Sequence, residues 1–147
     1  FAGQRAAYRY LGADPLEATE DGFESVGDLG WVDADGYLYL ADRRTDLIIS
    51  GGANIFPAEV EAVISQHPSV RDVAVIGLKD GDLGRRVYAI IEPAPHNEPQ
   101  DAEIMGAWCS ERLVRYKVPR SFEWVDALPR NEAGKIRRQA LREERGG

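Results

Sequence analysis

The sequence predicts a small α+β domain, a mixed sheet flanked by helices, preceded by strands with no sufficient core of their own. Three observations carry that expectation. Two runs rich in Val and Ile, Val70–Lys79 and Arg85–Glu92, read as strands joined through Asp80-Gly81-Asp82-Leu83-Gly84. Val60, Val63 and Ile64 mark one face of a helix over Pro57–His67. The polar stretch Asp42-Arg43-Arg44-Thr45-Asp46 breaks the chain between two apolar strands, and residues 42–45 are read as a domain boundary.

The elements follow in order. Residues 1–27 have weak periodicity. Asp33-Ala34-Asp35-Gly36 lies between apolar runs ending at Val32 and beginning at Tyr37, a hairpin signal, because Gly accepts the positive φ such turns demand. The later carboxylates of a calcium loop are not at their required spacing, so the turn reading is preferred. Leu47-Ile48-Ile49 reads as a short strand and Ser50-Gly51-Gly52-Ala53-Asn54 as a turn. Pro57 suits a helix start, where its missing N–H costs nothing. Pro93–Pro99 reads as a loop, and Asp101–Leu113 as a helix whose acidic beginning complements the helix dipole. Ser121–Val125 is a strand, Leu128–Lys135 a loop and Arg137–Glu144 a final charged helix.

Composition narrows the class. At 147 residues the chain fits one domain, or one domain plus a remnant of another. With 44% hydrophobic and 29% charged residues it is neither disordered nor fibrous. No apolar run approaches the ~20 residues of a membrane helix. Phe1-Ala2-Gly3-Gln4-Arg5 lacks an initiator Met and the apolar core of a signal peptide, so the chain is expected to begin inside a longer protein. The lone Cys109 forbids an internal disulfide and suits a reducing cytosol, and its helical surroundings predict packing rather than reactivity. His67 and His96 lack metal-ligand companions and read as surface residues, so no metal site is expected. From Arg112 onward ten Lys and Arg face five Asp and Glu, a balance of +5 on a body of −12. A basic end on an acidic body suits a polyanionic ligand, a docking face or a solvated surface. No aromatic-rich basic groove points to nucleic acid.

Three motifs then fall in a telling order. They are Gly27-Asp28-Leu29-Gly30; Asp42-Arg43 followed by Ser50-Gly51-Gly52-Ala53-Asn54-Ile55-Phe56-Pro57-Ala58-Glu59-Val60-Glu61; and Leu128-Pro129-Arg130-Asn131-Glu132-Ala133-Gly134-Lys135. Together, from about Asp21 to Leu141, they resemble the adenylate-forming family of acyl-CoA synthetases, peptide-synthetase adenylation domains and luciferases. The wording of the second motif is more like an acyl- or aryl-CoA ligase.

The resemblance implies a division: residues 1–42 end a large N-terminal domain, 43–45 are a hinge, and 46–147 form a C-terminal lid. It implies an ATP-dependent ligase that makes an acyl-adenylate from a small carboxylic acid, then an acyl-CoA, with magnesium bound mainly through ATP and the large domain. Asp28 would accept both ribose hydroxyls of the adenylate, a task for a fixed two-oxygen acceptor, and Arg43 would lie near ribose and phosphates. Lys135 would be the catalytic cation: carboxylate attack on the α-phosphate gathers negative charge that a mobile ammonium can meet.

Gly51 and Gly52 would line the pantetheine channel, though a plain β-turn explains them equally well. Tyr116, with Lys117 and Arg120, would hold the CoA nucleotide, unless Tyr116 packs on the core. The hinge position, Asp or Lys in relatives, is Thr45 here, and the position of a second lysine in some relatives is Ile49. Two other readings stay open: a module loading a carrier protein, and a non-catalytic binding domain that kept the fold. The expected setting is cytoplasmic, and the expected partner is the enzyme's own N-terminal domain.

Overall fold

The computed structural model describes residues 17–18, 24–25 and 27–147; the rest of the weakly patterned start lies outside the described residues. The chain divides into two compact units, Phe1–Thr45 and Asp46–Gly147.

In the first unit β1 (Glu17–Ala18) pairs antiparallel with β2 (Glu24–Ser25), and β3 (Asp28–Val32) with β4 (Leu38–Arg43). The β3–β4 turn forms where Asp33–Gly36 predicts it, with Gly36 at φ 86°. Asp33 Oδ1 accepts the N–H groups of Asp35 and Tyr37 at 3.0 and 2.9 Å, and Oδ2 accepts the Tyr39 hydroxyl at 2.8 Å. These bonds, the Tyr37 amide foremost, hold the Asp33 carboxyl below the usual carboxylate range. A Cβ on Gly30 would overlap the Tyr39 carbonyl oxygen, so only glycine fits that bulged position.

Trp31 stacks on Tyr39, yet Trp31, Leu38 and Leu40 remain 59%, 66% and 68% exposed. Among the described residues these apolar side chains of the hairpin are left exposed. β4 runs through Asp42 and Arg43, which the sequence reading places in a polar break. Polar side chains do not end a strand while its ladder partners, here Leu29 and Asp28, continue.

The second unit opens with a tight hairpin, β5 (Ile48–Ser50) and β6 (Ala53–Ile55), followed by α1 (Pro57–Ile64). β7 (Val70–Asp80) and β8 (Gly84–Pro93) form a long antiparallel pair. After α2 (Ala102–Ser110) and a 3₁₀ turn at Arg115–Lys117, β9 (Ser121–Trp124) adds parallel to β8. The sheet order β7-β8-β9 is mixed, and α3 (Arg138–Glu144) closes the chain. The α+β class and the mixed sheet flanked by helices are as the sequence predicts.

Strand alternation sorts the core into two layers. Val73, Val75, Val87, Ala89 and Ile91 face one side, with Val60 and Ile64 of α1 and Met105 and Cys109 of α2. Ala74, Ile76, Leu78 and Ile90 face the other, with Leu128 from the loop after β9 and Leu141 from α3. Cys109 packs as expected; burial pushes its thiol up to about 11.

α1 stops at Ile64, earlier than the apolar spacing suggests, because Pro68 keeps His67 out of helical conformation. His67 is also not the surface residue expected. It is partly buried, edge-on to Trp108 with centroids 4.9 Å apart, and its Nδ1 accepts the Ser69 N–H at 3.2 Å.

The basic end has a structural use that composition does not reveal. Arg138 and Arg142 of α3 and its C-cap Arg145 recur at i, i+4 and i+7. They reach Glu61 at 2.7 Å, Asp46 at 3.1 Å and Glu123 at 2.6 Å respectively. Arg130 pairs with Asp72 and Lys117 with Glu59. Much of the positive balance is therefore spent on carboxylates drawn from the acidic body.

Candidate functional site

Three places hold the residues singled out in the sequence. The first is the β3–β4 ladder. Asp28, exposed, stands directly opposite Arg43 in backbone register. The Arg44 N–H reaches back to the Gly27 carbonyl at 2.7 Å, so the ladder's end is closed beside both. The role expected of the Arg43 side chain lies outside what is described.

The second is a groove of about 820 Å³ in the Asp46–Gly147 unit. Its walls include Gly51, Leu83, Val87, Arg115, Tyr116, Val118, Pro119 and Arg120. Gly51 and Gly52 are the two central residues of the β5–β6 hairpin, at φ 55° and 81°. Positive φ at both is the two-residue turn that matches strand twist, which a side chain would strain. The Gly51 N–H donates to the Leu83 carbonyl at 2.9 Å, tying this turn to the β7–β8 turn. The turn itself demands both glycines, and Gly51 also lines the groove. Gly52 sits in the same turn, outside the lining.

Tyr116 stands in the 3₁₀ turn with 54% of its surface exposed, which removes the core-packing alternative. Lys117 turns away from the lining, its ammonium 2.6 Å from Glu59 and its side chain 16% exposed. Arg120 is fixed through its N–H on the Val87 carbonyl at 3.1 Å. It approaches Asp80, whose carboxyl is held low first by the amides of Leu83 and Asp82, with smaller help from Arg120 and Arg86. The groove thus combines a flat aromatic face, two guanidinium groups and an apolar wall. That set suits a planar heterocycle carrying anionic substituents. Leu83 was not expected in the lining; chain fold, not local spacing, brings it there.

The third place is the loop ending at Lys135. Asn131 N–H donates to the Lys135 carbonyl and Lys135 N–H to Asn131 Oδ1, both at 2.9 Å. Gly134, at φ 75°, donates to the Asn131 carbonyl at 2.9 Å, and Arg130 bridges to Ile136. The Lys135 side chain is exposed, and among the described residues its ammonium has no hydrogen bond or ion pair. A charge kept ready on a closed loop is what a transient anionic partner requires. Asp72, at the foot of this loop, and Leu83, in the groove, lie at opposite ends of the β7–β8 pair. From Asp72 to Asp80 the strand alone spans roughly 26 Å.

Among the described residues no helix is long and apolar enough to cross a membrane. Residues 59–135 match the family of AMP-binding enzyme C-terminal domains. The 2-succinylbenzoate–CoA ligase of Bacillus licheniformis is 46% identical over 125 residues, 85% of this chain and 26% of that protein. The long-chain-fatty-acid–CoA ligase FadD13 of Mycobacterium tuberculosis is 46% identical over 132 residues, 87% of this chain and 26% of that protein. Among solved structures, ATP-bound MatB from Rhodopseudomonas palustris superimposes with TM-score 0.81 at 36% identity, covering 87% of this chain and 25% of that one. The o-succinylbenzoate CoA synthetase of Bacillus subtilis, in complex with its acyl-adenylate intermediate, gives 0.77 at 43% identity, over 84% and 25%. The chain spans about a quarter of the length of these relatives. With more than half of its residues inside the matched domain, and that domain's fold reproduced, the chain belongs to the AMP-binding enzyme C-terminal domain family.

Proposed function

We propose that the chain is the C-terminal part of an ATP-dependent carboxylate–CoA ligase. Acid and ATP give acyl-adenylate and pyrophosphate; CoA then displaces AMP to give acyl-CoA. The observation that carries this reading is the separation of Lys135 and the groove to opposite ends of the β7–β8 pair. Each place serves one half-reaction, and the domain presents them in turn. Rotation about residues 43–45, with Thr45 as pivot, supplies that alternation.

In the first step the Lys135 ammonium meets the carboxylate and the α-phosphate as charge grows on their oxygens. Asp28 and Arg43 address the ribose side of the adenylate. In the second step the groove takes the CoA nucleotide, Tyr116 against the adenine and Arg115 and Arg120 toward its phosphates. Gly51 and Gly52 let the pantetheine arm pass close to backbone, and Lys117 holds the 3₁₀ turn in place through Glu59. Among the described residues no group of three or more His, Cys, Asp or Glu side chains could hold a metal ion. Magnesium would arrive on the ATP phosphates, and no step above depends on it.

The test uses the full-length enzyme with a panel of carboxylic acids, scoring AMP and pyrophosphate release and CoA-saturable thioester formation. Lys135→Ala should lower adenylate formation by about a hundred- to a thousand-fold. It should leave thioester formation from supplied acyl-adenylate near wild type. The 147-residue chain alone should release no AMP. Acid-independent behaviour of the full-length enzyme would overturn the ligase reading, and thioester formation only on a phosphopantetheinyl protein would favour the carrier-loading module.

A further inference from the structure

The loop that carries Lys135 is held by more bonds than its own turn requires. At its start the Leu128 N–H donates to the Glu92 carboxylate at 3.1 Å, and Glu92, only 5% exposed, is itself paired with Arg71 at 3.0 Å. Arg130 then donates one guanidinium nitrogen to the Gly134 carbonyl at 3.1 Å and another to Asp72 on β7. Arg137 N–H returns to the Pro129 carbonyl at 2.8 Å. Lys135 has both of its backbone polar groups satisfied by one residue, Asn131. A four-carbon stem ending in an ammonium has many rotamers, so the reach of that charge is set by how firmly the Cα beneath it is fixed.

We propose that Asn131 and the Asp72–Arg130 pair are positioning residues for Lys135, bolting the loop to β7 so that the ammonium meets the adenylation transition state without searching for it. The proposal rests on the ligase reading above. Asn131 clamps the lysine's backbone directly, and Arg130 carries the tip's carbonyl and the sheet's carboxylate on one rigid fork. Neither residue touches substrate in this scheme; each acts through Lys135.

In the full-length enzyme, Asn131→Ala should slow adenylate formation about tenfold, the loss expected from loosening one catalytic group by a hydrogen bond. Asp72→Asn should slow it by a smaller factor. Asn131→Ser, whose hydroxyl can accept the same N–H, should recover most of the rate. Thioester formation from supplied acyl-adenylate should be unchanged in all three. The decisive comparison is made in the Lys135→Ala background, where Asn131→Ala should cost nothing further, because residues acting as one unit are not additive. An equal tenfold loss there, or parallel loss in both half-reactions, would overturn the proposal. Amide exchange on the 147-residue chain gives a readout independent of catalysis. The Lys135 N–H should exchange slowly in wild type and in Asn131→Ser, and rapidly in Asn131→Ala. A fast-exchanging wild-type amide would refute the clamp. If full-length enzyme shows no acid-dependent AMP release, the ligase reading fails, and amide exchange alone then decides whether the clamp exists.

Discussion

Glu61 supports a stability test whose magnitude can be worked from contacts. Its Oε1 accepts the N–H of Val75 at 2.8 Å, and its two oxygens bind Arg138 at 2.9 and 2.7 Å. β7 is an edge strand, so the Val75 N–H donated to Glu61 has no further strand to meet. Val75 is fully buried, and removing its acceptor leaves an unsatisfied donor at a cost of about 1–3 kcal/mol. The ion pair lies between the surface and buried cases, with side chains 26% and 15% exposed, and its loss adds about 1–2 kcal/mol.

Glu61→Ala should therefore destabilise the Asp46–Gly147 unit by about 2–5 kcal/mol. Glu61→Gln keeps an acceptor for Val75 but loses the charge, and should cost about 1–2 kcal/mol. Urea unfolding followed by circular dichroism measures both. Salt of about 0.5 M should shrink the wild-type advantage over Gln while leaving the gap between Gln and Ala. Equal losses for Ala and Gln would refute the edge-capping role, and losses within about 0.5 kcal/mol for both would refute the ledger entirely.

Other outcomes follow from the same contacts. Tyr116→Ala combined with Arg120→Ala should raise the KM for CoA about ten- to a hundred-fold and leave that for ATP nearly unchanged; an unmoved CoA KM would return the groove to being empty surface. Thr45→Pro in the full-length enzyme should slow thioester formation more than adenylation, because it fixes φ at the pivot; equal rates in both half-reactions would move the pivot elsewhere. Glu123 is held below the usual glutamate range, first by its hydrogen bonds from Arg145 and then by the Tyr88 hydroxyl at 3.0 Å. Its folded value being depressed, the stability it contributes is complete above the unfolded value near 4.5 and is lost as pH falls through the folded one. Glu123→Gln should therefore be less stable at neutral pH and show a shallower acid limb in a pH series of urea midpoints.

Local chemistry was readable wherever a residue's neighbours in sequence are also its neighbours in space. Asp33 and Gly36 announce their turn, Gly51-Gly52 another, and Pro57 a helix start. The two core strands are visible because a run such as Val73–Leu78, buried throughout, must be apolar throughout. What could not be read depends on partners far along the chain. The persistence of β4 through Asp42-Arg43 is set by Leu29 and Asp28, and the burial of His67 by Trp108. The roles of Arg130, Lys117 and the α3 arginines are set by carboxylates 22 to 96 positions away. A count of charges shows a basic end and says nothing of where its counterions are. For the candidate site, Lys135 stands out by its motif, while Asn131, which fixes it, looks from sequence like any turn residue.

The arginine face of α3 also bears on the order in which the domain is completed. Its pairs join Arg142 to Asp46 and Arg138 to Glu61, separations of 96 and 77 residues, the first close to the largest this unit allows. Contacts so distant close the longest loops and form after the local ones. On the ribosome, the β7–β8 hairpin and α1 can assemble while α3 is still in the exit tunnel, but Ala74, Ile76 and Ile90 then wait without the layer that covers them. For that interval a sticky half-sheet is exposed, and a chain stopped before Arg138 would remain in that condition permanently.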